Sequence, residues 1–152
     1  MDIVGPDKAY FGAKDYQQSV IIRRMAADLN IPTEIVICPA VREADGLAMS
    51  GRNAYLDAEQ RPQAAHLHAA LEAGAEMIRR DRPAAGDVIA SIKSHLDDRA
   101  PAGRVDYIQI VNPDSLTNVE TTDDAVVIAL AVKFGRARLI DNIRVDGVGE
   151  AP

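Results

Sequence analysis

Hydrophobic and polar positions change their period several times along the chain, and each change marks an element. Lys8 to Phe11 reads as a short strand that turns at Gly12. From Lys14 to Asn30, Ile21, Met25 and Leu29 recur four apart beside Ile22 and Ala26, the spacing of one helix face, and Asn30 and Pro32 end that helix. Thr33 to Cys38 follows with a continuous apolar run, Ile35-Val36-Ile37-Cys38, closed by Pro39; the run predicts a parallel strand buried on both faces. Strand, helix and strand form one unit. A parallel pair cannot cover two sheet faces without neighbouring strands and helices, so the pattern predicts that a preceding segment belongs with it.

Residues 41 to 56 lose all period and carry Gly46 and Gly51, which reads as a functional loop joining two domains. Asp57 and Gln60 then have capping-box spacing, and Leu67, Leu71 and Ile78 mark the apolar stripe of a helix reaching about Arg80. Pro62 falls in its opening turns, or at the first position of a helix starting one turn later. Beyond Arg82-Pro83, Val88, Ile89, Ile92 and Leu96 predict a second helix, which Pro101-Ala102-Gly103 terminates. Val105 to Val111, Ala125 to Phe134 and Ala137 to Val145 are rich in β-branched residues and predict strands, with Gly135 in a hairpin between the last two. The tail after Asp146 is small and polar, a segment expected to fray. The expected organisation is residues 1–40 as a strand-helix-strand piece, 41–56 as a loop, and 57–152 as an α+β domain with a three-stranded antiparallel sheet and helices.

Composition narrows the function classes. At 47% hydrophobic and 26% charged, 152 residues suffice for a globular core. With 17 basic and 23 acidic residues the formal charge is −6, and the basic residues are scattered, a field that repels nucleic acid. No apolar run approaches the length of a membrane span, and the single Cys38 forms no internal disulfide; a cytoplasmic setting is the expectation. Cys38 itself, at a strand end before Pro39, reads as a small apolar side chain rather than a nucleophile.

Two segments carry candidate chemistry. Lys14 and Gln18, four apart, are expected on one face at the start of a helix, where unpaired amides and the helix dipole attract anions. Gly12 would let a ligand approach the backbone, and Asp15 could accept ribose hydroxyls. By spacing alone, the same residues also describe an ordinary solvated helix opening. Met49-Ser50-Gly51-Arg52-Asn53 offers a hydroxyl, a glycine that can turn its amides toward an anion, and a guanidinium that forks onto phosphate; by itself it also describes a surface turn. The histidines carry less. His66 and His68, two apart on a predicted helix, point to nearly opposite faces, and His95 lies on another helix, so no metal site is expected.

The two segments taken together, Phe11-Gly12-Ala13-Lys14-Asp15-Tyr16-Gln17-Gln18 and Asp45-Gly46-Leu47-Ala48-Met49-Ser50-Gly51-Arg52-Asn53, resemble two nucleotide-binding motifs of the pantothenate synthetases. These are ATP-dependent ligases that join pantoate to β-alanine. The likeness runs from about Lys8 to Val145, including Asp106-Tyr107-Ile108-Gln109-Ile110-Val111 and Arg138-Leu139-Ile140-Asp141-Asn142. It implies that the first piece is the end of a Rossmann-like nucleotidyltransferase domain. The family's His-x-Gly-His signature, which belongs to an N-terminal half, does not occur between Met1 and Lys14, so the chain resembles the back half of such an enzyme.

The resemblance further implies roles. Lys14 would bind ATP phosphates, Gly12 and Asp15 the ribose side, and Gln18 the pantoate. Val41 and Met49 would frame the adenine, and Ser50, the Gly51 amide and Arg52 would hold the phosphates, with Lys14, Ser50 and Arg52 as the catalytic set. ATP would enter with Mg²⁺ as a substrate complex, and no tightly bound cofactor is implied. The partners implied are ATP, pantoate, β-alanine and an N-terminal half in cis or in trans, and a homodimer is compatible. One position departs from the family: two serines usually precede the arginine, and here stand Ser50-Gly51, a lost neutral donor worth on the order of 1 kcal/mol. Alone, the chain is expected to be inactive; a non-catalytic nucleotide-binding or assembly module, or the C-terminal subunit of a split enzyme, is the alternative.

Overall fold

The computed structural model describes residues 3–147. It divides into two compact units, Met1–Val41 and Arg42–Pro152. In the first, β1 (Lys8–Gly12) and β2 (Glu34–Cys38) pair in parallel, with Lys8 opposite Glu34 and Gly12 opposite Cys38. Between them run a single 3-10 turn, Ala13–Asp15, and α1 (Tyr16–Asp28). The helix expected from Lys14 therefore begins at Tyr16. Asp15, at φ −94° and ψ 62°, leaves the helical region and separates the tight turn from the regular one.

The far end of α1 follows the sequence closely. Asn30 takes the left-handed conformation at φ 51°, and the amides of Asn30 and Ile31 donate to the carbonyls of Ala27 and Ala26, the paired bonds of a Schellman stop. Burial does not follow the sequence. Ile35 to Cys38 are half-buried rather than covered on both faces, and Ile21 (54% exposed), Leu29 (66%) and Tyr10 (66%) face outward. The cause is the two-stranded sheet, which offers these side chains no neighbouring strand.

The second unit contains α2 (Gln60–Ala64), α3 (His66–Asp81), α4 (Ala85–Arg99) and the strands β3 (Arg104–Val111), β4 (Val126–Phe134) and β5 (Ala137–Val145). The strands form an antiparallel sheet in the order β3-β4-β5. The fold is α+β. Asp57 Oδ1 accepts from the amides of Glu59 and Gln60 at 3.0 and 2.8 Å, and Gln60 Oε1 accepts from the Asp57 amide at 3.4 Å, which completes the capping box. The helix expected to run through to Arg80 is interrupted at Ala65, whose ψ of −27° is in the 3-10 range and breaks the i→i−4 pattern.

The core explains the sheet's alternation. Helices α3 and α4 pack together and cover one face, where Val126, Ile128, Leu130, Val132 and Phe134 of β4 meet Leu67, Leu71, Ile78, Val88, Ile92 and Leu96. Each such side chain contributes about 1.5–3 kcal/mol by leaving water. On β3 the inward parity switches from Val105 to Ile108 and Ile110, because a bulge at Asp106 inserts one residue. Lys133 Nζ and Arg138 Nε hold that bulged carboxylate at 2.9 and 2.8 Å, Lys133 foremost in keeping it below its ordinary range. A two-residue turn, Gly135-Arg136, joins β4 to β5 with Gly135 at φ 52°.

Candidate functional site

In the first unit, the candidate residues gather where β1 passes into α1. Gly12 is the last residue of β1, exposed and extended at φ −78°, and a Cβ there would meet nothing within 4 Å. Neither packing nor backbone demands a glycine at this point. Lys14 is half-buried in the 3-10 turn, Asp15 is exposed at the N-cap of α1 with no side-chain cap bond, and Gln18 is exposed in the first helical turn. Lys14 and Gln18 thus occupy two different elements rather than one helix face, a correction that follows from the break at Asp15. The leading amides of α1 still present the positive end of a 13-residue helix. Val41, 67% exposed, is the last residue of this unit.

In the second unit, Met49 is 56% exposed and Ser50 is half-buried in extended conformation at φ −158°. A 3-10 helix, Gly51–Tyr55, starts directly after it, where the sequence pattern had given only a loop. Ser50 Oγ caps this helix by accepting from the Arg52 amide at 3.2 Å, which leaves the hydroxyl proton available to a ligand. Gly51 is exposed, and a Cβ there would also meet nothing within 4 Å. The Arg52 guanidinium is exposed and has no hydrogen bond or ion pair among the described residues. A hydroxyl, a bare backbone and an uncommitted guanidinium thus stand on consecutive residues, chemistry suited to an anion with several oxygens.

What holds this segment was not read from the sequence. Arg42 donates to both carboxylate oxygens of Asp141 on β5, at 2.6 and 3.1 Å, and to the Gly46 carbonyl at 3.1 Å. Arg61 of α2 forks onto Glu43 at 2.7 Å and Asp45 at 2.6 Å, holding both carboxyls below their ordinary range. Asn53 donates to Glu43 Oε1 at 2.7 Å and to the Ala48 carbonyl at 3.2 Å. Leu47 and Ala48, each 3% exposed, pin the middle of the segment to the unit. Gly46 turns the chain at φ 90°, a region closed to most side chains, and a Cβ there would lie 3.0 Å from His68 Cδ2.

One signal of this arrangement was present in the chain. On β5, Ala137, Leu139, Ile143 and Val145 face the core, and the position that interrupts this alternation is Asp141, 4% exposed. A carboxylate at an inward strand position demands a cationic partner. The histidines are half-buried: His68 lies 3.6 Å from Glu72 and 3.9 Å from Asp141, and the rings of His66 and His95 stand 5.6 Å apart. Among the described residues no group of three or more His, Cys, Asp or Glu side chains could hold a metal ion, and no helix is long and apolar enough to cross a membrane.

Known proteins give this geometry a context. The family model described as pantoate-beta-alanine ligase matches residues 1–144. A pantothenate synthetase of Moorella thermoacetica is 47% identical over 142 residues, which are 93% of this chain and 50% of that protein. The crystal structure of pantothenate synthetase from Thermus thermophilus superposes with a TM-score of 0.88 at 40% identity, over 95% of this chain and 51% of its own. A pantoate-beta-alanine ligase of Francisella tularensis, solved in complex with beta-gamma ATP and beta-alanine, gives a TM-score of 0.62 at 29% identity, over 93% and 45% of the two chains. The chain thus spans about half the length of these relatives. On these likenesses the chain belongs to the pantoate-β-alanine ligase family.

Proposed function

We propose that this chain is the C-terminal half of an ATP-dependent ligase that condenses pantoate with β-alanine in the cytoplasm, and that it supplies the phosphate-holding side of the reaction. The reading rests on Ser50, Gly51 and Arg52, which offer in succession a donor hydroxyl, an open backbone and a guanidinium that is unpaired among the described residues. In the first step a pantoate carboxylate oxygen attacks the α-phosphorus of ATP, and pyrophosphate leaves with the electron pair of the broken P–O bond. In the second the β-alanine amine attacks the acyl carbon, loses a proton and expels AMP. Arg52 and Lys14 would stabilise charge on the departing phosphates, where fixed donors act most strongly. Gly12 and Asp15 would take the ribose, Val41 and Met49 the adenine, and Gln18 the pantoate; Mg²⁺ would arrive with ATP. The strand-helix-strand unit would be the end of a Rossmann-like domain whose remainder, with its histidines, orients the adenylation.

The test is pantoate-dependent pyrophosphate release by the purified chain. No release is expected from the chain alone, and release is expected on adding the N-terminal half of a relative. Clear release by the chain alone, abolished by Lys14→Ala, would overturn the view that both halves are required. A second reading, a subunit working in trans, draws on the outward-facing Tyr10, Ile21 and Leu29. A neighbouring reading frame that encodes a His-x-Gly-His half would favour it.

A further inference from the structure

We propose that Asp141 is a positioning residue: from β5 it fixes Arg42, and through Arg42 the Gly46 turn, in the conformation that presents Ser50, Gly51 and Arg52 to phosphate. The inference rests on the reading of those three residues as phosphate-binding.

Asp141 is the one acidic side chain that β5 turns toward the core, and at 4% exposure its charge is costly unless it is met fully. Arg42 meets it with both terminal nitrogens, and the Asn142 amide adds a bond at 2.9 Å. A two-pronged guanidinium-carboxylate contact fixes direction as well as distance, so the Arg42 side chain is held in one orientation. The same Nη1 that binds Asp141 also binds the Gly46 carbonyl, so the orientation passes directly to the turn. From that turn the chain has no slack: Ala48 bridges back to Arg42, and the Asn53 amide ties Ala48 to Glu43. Ser50 and Gly51 lie within this closed ring. A phosphate site needs its donors fixed before the ligand arrives, and here a strand carboxylate 99 positions from Arg42 does the fixing.

The test uses the full chain, with Asp141→Asn as one variant and Arg42→Lys as the other. Asparagine keeps the shape but loses the charge and turns one acceptor into a donor; lysine keeps the charge but cannot bind the carboxylate by two prongs and the Gly46 carbonyl together. Hydrogen exchange at the amides of residues 43–53 should rise about tenfold or more in Asp141→Asn and by less in Arg42→Lys, as expected for loss of a charged hydrogen bond. Amides of β4 and β5 serve as the internal control for folding. Inorganic tripolyphosphate, followed by amide chemical shifts, should perturb Ser50, Gly51 and Arg52 in the unaltered chain and several-fold less at equal concentration in Asp141→Asn. Unchanged exchange at 43–53 in both variants overturns the proposal. So does a tripolyphosphate response that survives in Asp141→Asn but is lost in Arg52→Ala, which leaves the phosphate reading standing. No response in the unaltered chain overturns the phosphate reading itself, and the presenting role of Asp141 with it.

Discussion

Gly51 stands where the family resemblance leads one to expect a second serine, and its surroundings show how little the fold depends on it. Nothing within 4 Å would meet a side chain there, and its φ is not in the left-handed region. Gly51→Ser should therefore leave stability within about 0.5 kcal/mol and add a hydroxyl to the row proposed to hold phosphate. In a complete ligase carrying this half, calorimetry should show ATP bound up to about fivefold more tightly by Gly51→Ser, and about tenfold or more weakly by Arg52→Ala, which removes a charged donor. Equal affinities in all three proteins would remove phosphate from this loop.

His95 makes a separate prediction at the same scale. Burial first, then the neighbouring His66 and Arg99, outweigh Asp98 and hold its proton affinity below the ordinary 6.5. The unfolded chain consequently takes up that proton at a higher pH than the folded one. The stability from the neutral ring is full above about pH 6.5 and is lost as pH falls through the folded value. Thermal unfolding should show a smaller drop between about pH 7 and pH 5 in His95→Gln than in the parent. Parallel curves would show that other groups set the acid limit.

Among the elements, β1, α1 and β2 are the ones left without a proper interior. The buried positions of their unit among the described residues are Ser19, Ala26 and Thr33, the last just before β2, whereas the large apolar cluster draws all its members from Leu47 onward. Amides of residues 8 to 38 should exchange fastest of the ordered elements, and those of β4 and β5 slowest. Equal protection in both, in a monodisperse monomer by light scattering, would mean that this pair of strands is self-sufficient. The sequence carried the signals for most of these elements because their limits are local. Asn30, the Asp57–Gln60 box and Gly135 act within a turn of where they stand. The break at Asp15, the bulge at Asp106 and the 3-10 helix after Ser50 escaped it, since each differs from a regular element by one or two dihedral angles. Ser50 and Arg52 were legible as candidates through their residue types. The Arg42–Asp141 contact was not, because no local pattern joins partners so far apart, although the broken alternation on β5 marked one of the two.

At the scale of the whole molecule, the division after Val41 assigns the Ser50–Arg52 segment to the same unit as the antiparallel sheet. Any fusion or truncation that preserves the row from Ser50 to Arg52 should therefore keep Arg42 with it, together with β5. The Arg42–Asp141 pair also has a consequence in time. Closing a ring of 99 residues costs chain entropy before the contact returns any, so this contact belongs to the last stage of folding, after the hairpin and helices have met. Contacts absent from the transition state act on the return journey alone. Removing the pair should steepen escape from the native state and leave the refolding limb of a chevron nearly unmoved. The carboxylate on β5 would then be a brake on unfolding rather than a guide to the fold, and the lifetime of the folded chain, more than its speed of formation, would be what that one inward charge sets.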